Sequence, residues 1–363
     1  MSNLTSSVSR FINTVTDQQT GEQIILPTLE TLSIPATPNY VGGVRKNINS
    51  YGTVDIHDWT GSDNELVHYI GADFKADKTP CYRKLTVIEN GIATDKFIEV
   101  PNNFFVERTD NHVVLGNNVT ETYSIFDFEE AIYYYLSILE RLREKGYEVS
   151  PAYAKVWEGG AKLFLQHKIG GGQIMGEPVD SYLSLITSHD RSSGFTLALS
   201  AVRLFCANQI QRMLGHASMK LNLRHTTGNA LRIENEAQKM MELQQGNQAA
   251  LAEYAESLAG IKVSTQNMFD AFAKMRNLEK LTTQRQVDNW SYLAGNLMAA
   301  YNMPDIDNFR GTALGAYYAA SDAFQHIEPL RQSATRDQKM IEASLDGNIA
   351  LGEYTDILVD IAR

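Results

Sequence analysis

The sequence predicts an α+β protein, in which an antiparallel sheet with packed helices is followed by a helical C-terminal region. Upstream of about residue 200, short runs of β-branched and aromatic residues alternate with turn dipeptides such as Asn90-Gly91 and Gly159-Gly160. This alternation is typical of consecutive hairpins. From about residue 227 onward, Gly and Pro become sparse within long runs, which favours helices.

These patterns divide the chain into three segments. Residues 1–60 are rich in Ser, Thr, Asn, Gln and Gly and are interrupted by Pro27, Pro35 and Pro38, which predicts an extended polar N-terminal arm. Residues 61–226 form the predicted α+β core domain, and residues 227–363 form the helical C-terminal region. With 363 residues and 43% hydrophobic content, the chain is long enough to bury a sizeable core.

The first half of the predicted core domain contains hairpins and one long helix. The stretch RKLTVIENGIATDKFIEVPNNFFVERTDNHVVLG has β-type runs broken at Asn90-Gly91 and Asp110-Asn111, so we expect hairpins there. The stretch SIFDFEEAIYYYLSILERLREKGY then changes to helical spacing. Ser124 is the expected N-cap, and Gly146 lies just beyond the basic end of the helix.

The second half of the core domain is predicted to contain four strands and a helix. AYAKVWEGGAKLFLQHKI predicts two strands, DSYLSLITSHD a third and SGFTLALSAV a fourth, with the run from Gly170 to Gly172 as a hairpin connection. RLFCANQIQRML predicts the helix that follows. In the fourth strand the odd-numbered residues from 195 to 201 fall on one face, and we expect that face to be buried.

The charge of the chain is unevenly distributed. The net charge is −11, yet residues 191–232 contain no Asp or Glu. Six basic residues lie in this acid-free window: Arg191, Arg203, Arg212, Lys220, Arg224 and Arg232. Overall acidity argues against a polyanionic partner, but a locally basic stretch is what a phosphate backbone requires. A buried sheet and helix whose Arg side chains pair with acids elsewhere would give the same pattern.

Four stretches of the chain carry a family resemblance. They are VPNNFFVERTDNHVVLGNNVTETYSIFDFEEA, SHDRSSGFTLALSAVRLFCANQ, LRHTTGNALRIENEA and GTALGAYYAASDAFQHIEP. In order and spacing they resemble the phage/plasmid-like family that carries the domain of unknown function 932, from about residue 97 to the C-terminus. The resemblance implies a mobile-element setting in a bacterial host cell and no established activity.

The predicted element order suggests a site for nucleic acid. A hairpin, further strands and then a helix resemble the β-β-β-α core of single-strand annealing proteins. In such a groove, basic side chains follow phosphates while aromatic rings stack on bases. The candidate phosphate contacts are Lys155, Lys162, Lys168, Arg191, Arg203, Lys220 and Arg224, and the candidate stacking residues are Tyr153, Trp157 and Phe164. Aromatic residues of this kind also commonly belong to protein cores.

A metal-dependent nuclease is the second hypothesis. His189, Asp190 and His225 are residue types that bind a metal able to activate water, and DIHDW supplies Asp55, His57 and Asp58. Their spacings match no established ligand pattern, and Asp190 also suits a turn that its side chain caps.

An assembly protein without nucleic-acid contact is the third hypothesis. The small residues around Ala316 would let another helix approach closely, and apolar residues from Met240 to Ile261 recur at near-helical intervals. Both features would suit packing against a sister subunit. Packing within one chain is the commoner outcome of such patterns.

Other features narrow the function classes. The chain has no GxxxxGK[ST] loop, which argues against a P-loop motor. Cys81 and Cys206 lie far apart, so neither a disulfide framework nor a zinc knuckle is indicated. No window approaches 18 consecutive apolar residues, and the first residues lack the pattern of a signal peptide, so we expect a cytosolic protein without membrane contact.

From these observations we expect a non-catalytic protein that binds and anneals single-stranded DNA or RNA during recombination. We expect no cofactor. We also expect a homo-oligomer, because one subunit of a single-strand binder covers only about 4–16 nucleotides.

Overall fold

The described part of the chain in the computed structural model comprises residues 14–40, 53–89, 92–203, 220–223, 249–327 and 349–363. It contains antiparallel sheets, packed helices and a helical C-terminal region, which confirms the predicted α+β class. The predicted helix after residue 203 lies outside the described residues. So do Cys206, Arg212, Arg224, His225, Arg232 and Met240.

The largest sheet has six antiparallel strands. In chain order the first five are β3 (Val54–Asp55), β7 (Ser150–Trp157), β8 (Lys162–Ile174), β9 (Glu177–Ser188) and β10 (Phe195–Arg203), and the sixth is β11 (Lys220–Leu223). Their order across the sheet is β11-β10-β9-β8-β7-β3. The predicted turn at Gly159-Gly160 is confirmed, because it separates β7 from β8.

The predicted connection at the glycine run from Gly170 to Gly172 is wrong. These residues belong to β8, and the turn into β9 lies at Met175 and Gly176. The pairing of β8 with β9 shifts between Lys168 and Gly171, and Gly170 has a positive φ of 116°. The run therefore accommodates a bulge within the strand, a conformation that glycine tolerates at little steric cost.

Helix α2 (Phe128–Glu144) covers one face of this sheet. Its N-cap is Asp127 rather than the predicted Ser124, and no side chain makes the capping hydrogen bond, while Gly146 ends it at φ 88° as expected. We name the covered face the α2 face. Its buried residues pack with α2 into the sheet core, among them Leu163, Leu165, Leu183, Leu185, Phe195, Leu197 and Leu199.

A three-stranded sheet packs beside this core. Its strands are β4 (Ala76–Glu89), β5 (Ile92–Arg108) and β6 (Val114–Val119), preceded by α1 (Asp63–Tyr69). Glu89 pairs with Ile92, which confirms the hairpin predicted around Asn90-Gly91. The base of this sheet contributes Val106, Leu115 and Val119 to the sheet core.

The helical region forms a second core. Its helices are α3 (residues 249–259 of the described chain), α4 (Thr265–Met275), α5 (Gln284–Tyr301), α6 (Ala313–Asp322) and α7 (Ile349–Ala362). Strands β1 (Thr14–Thr16) and β2 (Gln23–Ile25) form a short hairpin beside them, and Ile24, Leu26 and Leu32 are buried in this helical core. Among the described helices, none has the length and apolar character needed to cross a membrane.

The small-residue stretch of the C-terminal region packs inside the chain. All residues of α6 are buried, and Ala316, Ala319 and Ala320 belong to the helical core. A Cβ added to Gly315 would lie only 2.3 Å from the Phe309 carbonyl oxygen, so the small residues permit a close approach within the subunit. The subunit surface suggested by the sequence around Ala316 is therefore wrong.

Candidate nucleic-acid interface

The face of the six-stranded sheet opposite α2 brings together most of the candidate residues from β7 and β8. Every second side chain of a strand points to the same face. The pairing aligns Lys155 with Phe164 and Trp157 with Lys162, so these four share that face. The residues that β7 and β8 contribute to this opposite face are Tyr153, Lys155, Trp157, Lys162, Phe164, Gln166 and Lys168.

The aromatic candidates on the opposite face differ in accessibility. Phe164 is 0% exposed and Tyr153 is 7% exposed, because both pack in a small apolar cluster with Tyr182 and Ile186. Burial raises the pKa of the Tyr153 phenol. Trp157 is half-buried at the margin of this cluster, with its ring centroid 6.0 Å from that of Phe164. Trp157 is therefore the ring that remains available to a stacked base.

The lysines of the opposite face are held to different degrees by carboxylates. Lys168 is half-buried and its Nζ lies 2.7 Å from Asp180 Oδ1, whereas Lys162 is buried and its Nζ lies 3.6 Å from Asp190 Oδ2. Lys155 is half-buried and forms no ion pair with any carboxylate among the described residues. Its charge is the one on this face most available to a phosphate.

The centre of the opposite face is buried and polar. Gln166 Nε2 donates to Ser184 Oγ at 2.8 Å, and Thr196 and Ser200 on β10 are also buried. Gln166 Oε1 and Ser200 Oγ have no hydrogen-bond partner within the part of the chain that the structure describes. Buried polar atoms usually find partners, since leaving them unpaired costs free energy. This centre therefore keeps hydrogen-bonding capacity that an apolar core would not have.

Two described basic positions of the acid-free window lie in the same sheet. Arg203 is the last residue of β10 and lies opposite Val179 in the register, and Lys220 opens β11 opposite Ala198. The basic positions 203 and 220 therefore lie on the last two strands at one edge of the sheet. Arg224 falls outside the described residues.

Arg191 lies in the turn between β9 and β10. It is exposed and has a φ of 68°, and its Nη1 donates to the Asn118 carbonyl oxygen at 2.6 Å. The side chain thus ties this turn to the end of β6. Because Nη1 is engaged in this bond, a phosphate would have to contact Nε or Nη2 of Arg191.

The metal-ligand candidates are dispersed. His189 is buried on the α2 side, where its ring stacks on Phe128 at 4.2 Å. Asp190 Oδ1 accepts the Ser192 backbone N–H at 2.8 Å, which confirms its predicted role as a turn cap. His57 Nδ1 lies 2.7 Å from Asp55 Oδ1 at an exposed site. Among the described residues, no group of three or more His, Cys, Asp or Glu side chains could hold a metal ion.

Sequence reasoning missed the polar centre formed by Gln166 and Ser184. Both residues alternate with leucines that face α2, namely Leu165 on β8 and Leu183 and Leu185 on β9. That alternation predicts a polar face, because in a strand with one apolar face the intervening residues all point to the other face.

A family model covers α2 and most strands of the six-stranded sheet. The family model described as "Domain of unknown function (DUF932)" matches residues 117–345. This match covers more than half of the chain, including α2 and the strands from β7 to β11. Comparisons with curated proteins and with solved structures give no match.

Proposed function

The chain belongs to the DUF932 family, and we propose that it binds and anneals single-stranded nucleic acid without catalysing a reaction. The observation that carries the proposal is the collection of Lys155, Lys162 and Lys168 with Trp157 on one face of the six-stranded sheet. The acid-free window supplies one further basic position to this face, because Lys220 on the edge strand β11 pairs with Ala198. We further propose a phage or plasmid setting in the bacterial cytoplasm, on the resemblance of the four sequence stretches.

The chemistry of a single strand suits this arrangement. Its phosphates attract Lys and Arg, and its unpaired bases have faces that stack on aromatic rings whatever their identity. Lys155 and Trp157 lie two positions apart on β7 and share a face, so one strand crossing that margin would meet both a charge and a ring. Binding of this kind is independent of sequence, as annealing of arbitrary complementary strands requires.

The ion pairs of the opposite face fit a site that is occupied only when a strand is present. Asp180 and Asp190 offset Lys168 and Lys162 in the free protein. An incoming phosphate would exchange with these carboxylates, which lowers the affinity below that of three unpaired lysines. Moderate affinity is useful to an annealing protein, since the product duplex has to be released.

The test compares a charge reversal on the opposite face, Lys155→Glu, with the same reversal elsewhere on the surface. We expect Lys155→Glu to weaken binding of a labelled single strand about tenfold. We expect Trp157→Ala to weaken it by a similar factor, because stacking contributes about 1–3 kcal/mol per base. Lys274→Glu is the matched control, since Lys274 is exposed on α4. Equal losses in Lys155→Glu and Lys274→Glu would show that the opposite face is not the interface.

The same preparation tests the nuclease hypothesis. The assay looks for cleavage of the strand after addition of Mg²⁺ or Mn²⁺. If cleavage occurs and Asp190→Asn abolishes it, the protein is a nuclease and the proposal of non-catalytic binding is wrong. Asp190 is the better position for this test, because His189 is buried against Phe128 and its substitution would disturb the sheet core. Parallel measurements with DNA and RNA strands identify the preferred polymer.

A further inference from the structure

The outer part of the β4–β5 hairpin is the most exposed apolar feature of the described chain. We name residues 82–99 the projecting hairpin. Residues 82–86 and 92–99 are all exposed. Six large apolar side chains lie on this hairpin: Tyr82 (54% exposed), Leu85 (43%), Ile88 (73%), Ile92 (68%), Phe97 (68%) and Ile98 (38%). Soluble monomers rarely leave such a cluster uncovered, and it usually marks an interaction surface.

The backbone edges of the projecting hairpin are also open. Among the described strands, β4 pairs only with β5, and β6 pairs with β5 only from Phe104 onward. Neither edge of the projecting hairpin therefore has a partner strand in the described part of the chain. A long edge without a cover is a template for pairing with a strand of another chain.

We propose that the β4 edge of the projecting hairpin pairs with the same edge of a second copy of this chain, antiparallel and centred on Thr86. Charge favours a second copy at this place. The projecting hairpin has three basic residues and three acidic residues, so it is neutral in a chain of net charge −11. A contact elsewhere between two acidic copies would meet more repulsion. Within the hairpin the charged residues are Arg83, Lys84, Glu89, Asp95, Lys96 and Glu99.

The sequence of β4 is self-complementary in this register. A two-fold axis at Thr86 places position 85 opposite position 87 of the second copy, a leucine opposite a valine. It also places position 83 opposite position 89, a basic residue opposite an acidic one. Opposite charges and apolar pairs across neighbouring strands stabilise a sheet, whereas like charges destabilise it. No like charges face each other in this register.

The pairing also brings apolar side chains of the two copies together along the joined edge. Leu85 of each copy lies beside Val87 of the other in this register. Edge pairing joins the two hairpins into one four-stranded sheet, so the exposed apolar side chains of the two copies form two continuous surfaces, one on each face of that sheet.

The first test measures molecular mass against concentration by sedimentation, without nucleic acid. We expect a dimer whose dissociation constant rises about tenfold in Arg83→Glu, because two like-charge pairs replace two opposite-charge pairs. The exchange Arg83→Glu with Glu89→Arg should restore the dimer. Arg285→Glu, an equal charge change at an exposed position of α5, should leave it unchanged.

Three results would overturn the proposal. They are a monomer at every concentration, a dimer that Arg83→Glu does not weaken, and an exchange variant that stays monomeric. The measurement involves no strand binding, so its outcome is independent of the proposed function. Because Arg83 is exposed on the projecting hairpin, its substitution does not disturb either core.

The second test uses the position on the axis. Two Thr86→Cys copies would bring their Cα atoms about 4.5–5.5 Å apart in the proposed pairing, within the range of a disulfide. We expect a disulfide-linked dimer under mild oxidation. Thr94→Cys is the matched control, because Thr94 lies on β5, opposite Val87 and away from the axis. Equal cross-linking of both variants, or none of Thr86→Cys, would contradict the register.

Discussion

At the scale of single residues, a buried hydrogen-bonded chain links α2 to the sheet. Tyr135 OH donates to the Leu183 carbonyl oxygen at 2.7 Å, so it accepts the bond from His167 Nδ1, which lies 3.2 Å away. Burial, together with a smaller contribution from the charge of Arg143, lowers the pKa of His167 to about 3. His167 is therefore neutral in the folded protein near neutral pH.

His167 predicts how stability depends on pH. The ordinary histidine pKa is 6.5, so the unfolded chain takes up a proton below that pH while the folded chain does not until about pH 3. The stability that His167 contributes is complete above pH 6.5 and falls by about 1.4 kcal/mol per pH unit below it. Denaturant unfolding from pH 7 to pH 4 measures this slope. His167→Gln should have a shallower slope, and an unchanged slope would contradict the assignment.

Residue-level prediction from sequence succeeded where the cause is local. The Asp190 turn cap depends on Ser192, two positions away, and was predicted correctly. The surroundings of His189 could not be predicted, because its stacking partner Phe128 belongs to a helix distant in sequence. The ion pair of Lys168 could not be predicted either, because the register of β8 and β9 decides that Asp180 is its partner.

At the scale of elements, the N-terminal segment is fixed to α5 by a close backbone approach. A Cβ added to Gly295 would lie 2.3 Å from the Ser33 carbonyl oxygen. Asn39 N donates to Asn296 Oδ1 at 2.6 Å beside this contact. Only glycine at position 295 allows the chain around Ser33 to lie against the helix.

Two helical glycines give a matched prediction. We expect Gly295→Ala to lower the free energy of unfolding by about 1–3 kcal/mol, since overpacking a close contact forces the backbone apart. Within the described residues, nothing beyond the adjacent backbone of α7 lies within 4 Å of a Cβ added to Gly352, so Gly352→Ala should raise stability by about 0.5–1 kcal/mol. Thermal or denaturant unfolding compares the two variants. Changes of the same sign would contradict the packing described for α5.

Elements with strong periodicity were predictable, and elements fixed by long-range contacts were not. The hairpin around Asn90-Gly91 and helix α2 follow from turn residues and helical spacing. The run from Gly170 to Gly172 was misread as a turn, because bulges and turns require the same residue. The burial of Ile24 and Leu26 could not be predicted, because they lie in a polar N-terminal segment and pack against helices distant in sequence.

At the scale of the whole molecule, the exposed apolar surface is not the one that the sequence suggested. The small residues around Ala316 fill the chain's own helical core, whereas the apolar residues of the projecting hairpin are exposed. Sequence alone could not separate these cases, because apolar residues in a strand look the same whether the strand is covered or projects. The candidate lysines were found from sequence, but their ion pairs were not.

The salt dependence of single-strand binding tests the central claim most directly. If Lys155, Lys162 and Lys168 each neutralise a phosphate, the logarithm of the binding constant should fall with the logarithm of salt concentration with a slope of about −2. A further phosphate contact by Lys220 on β11 would make the slope steeper. Fluorescence titration of a labelled single strand over a series of salt concentrations measures it. A slope near zero, or no binding at low salt, would contradict the account.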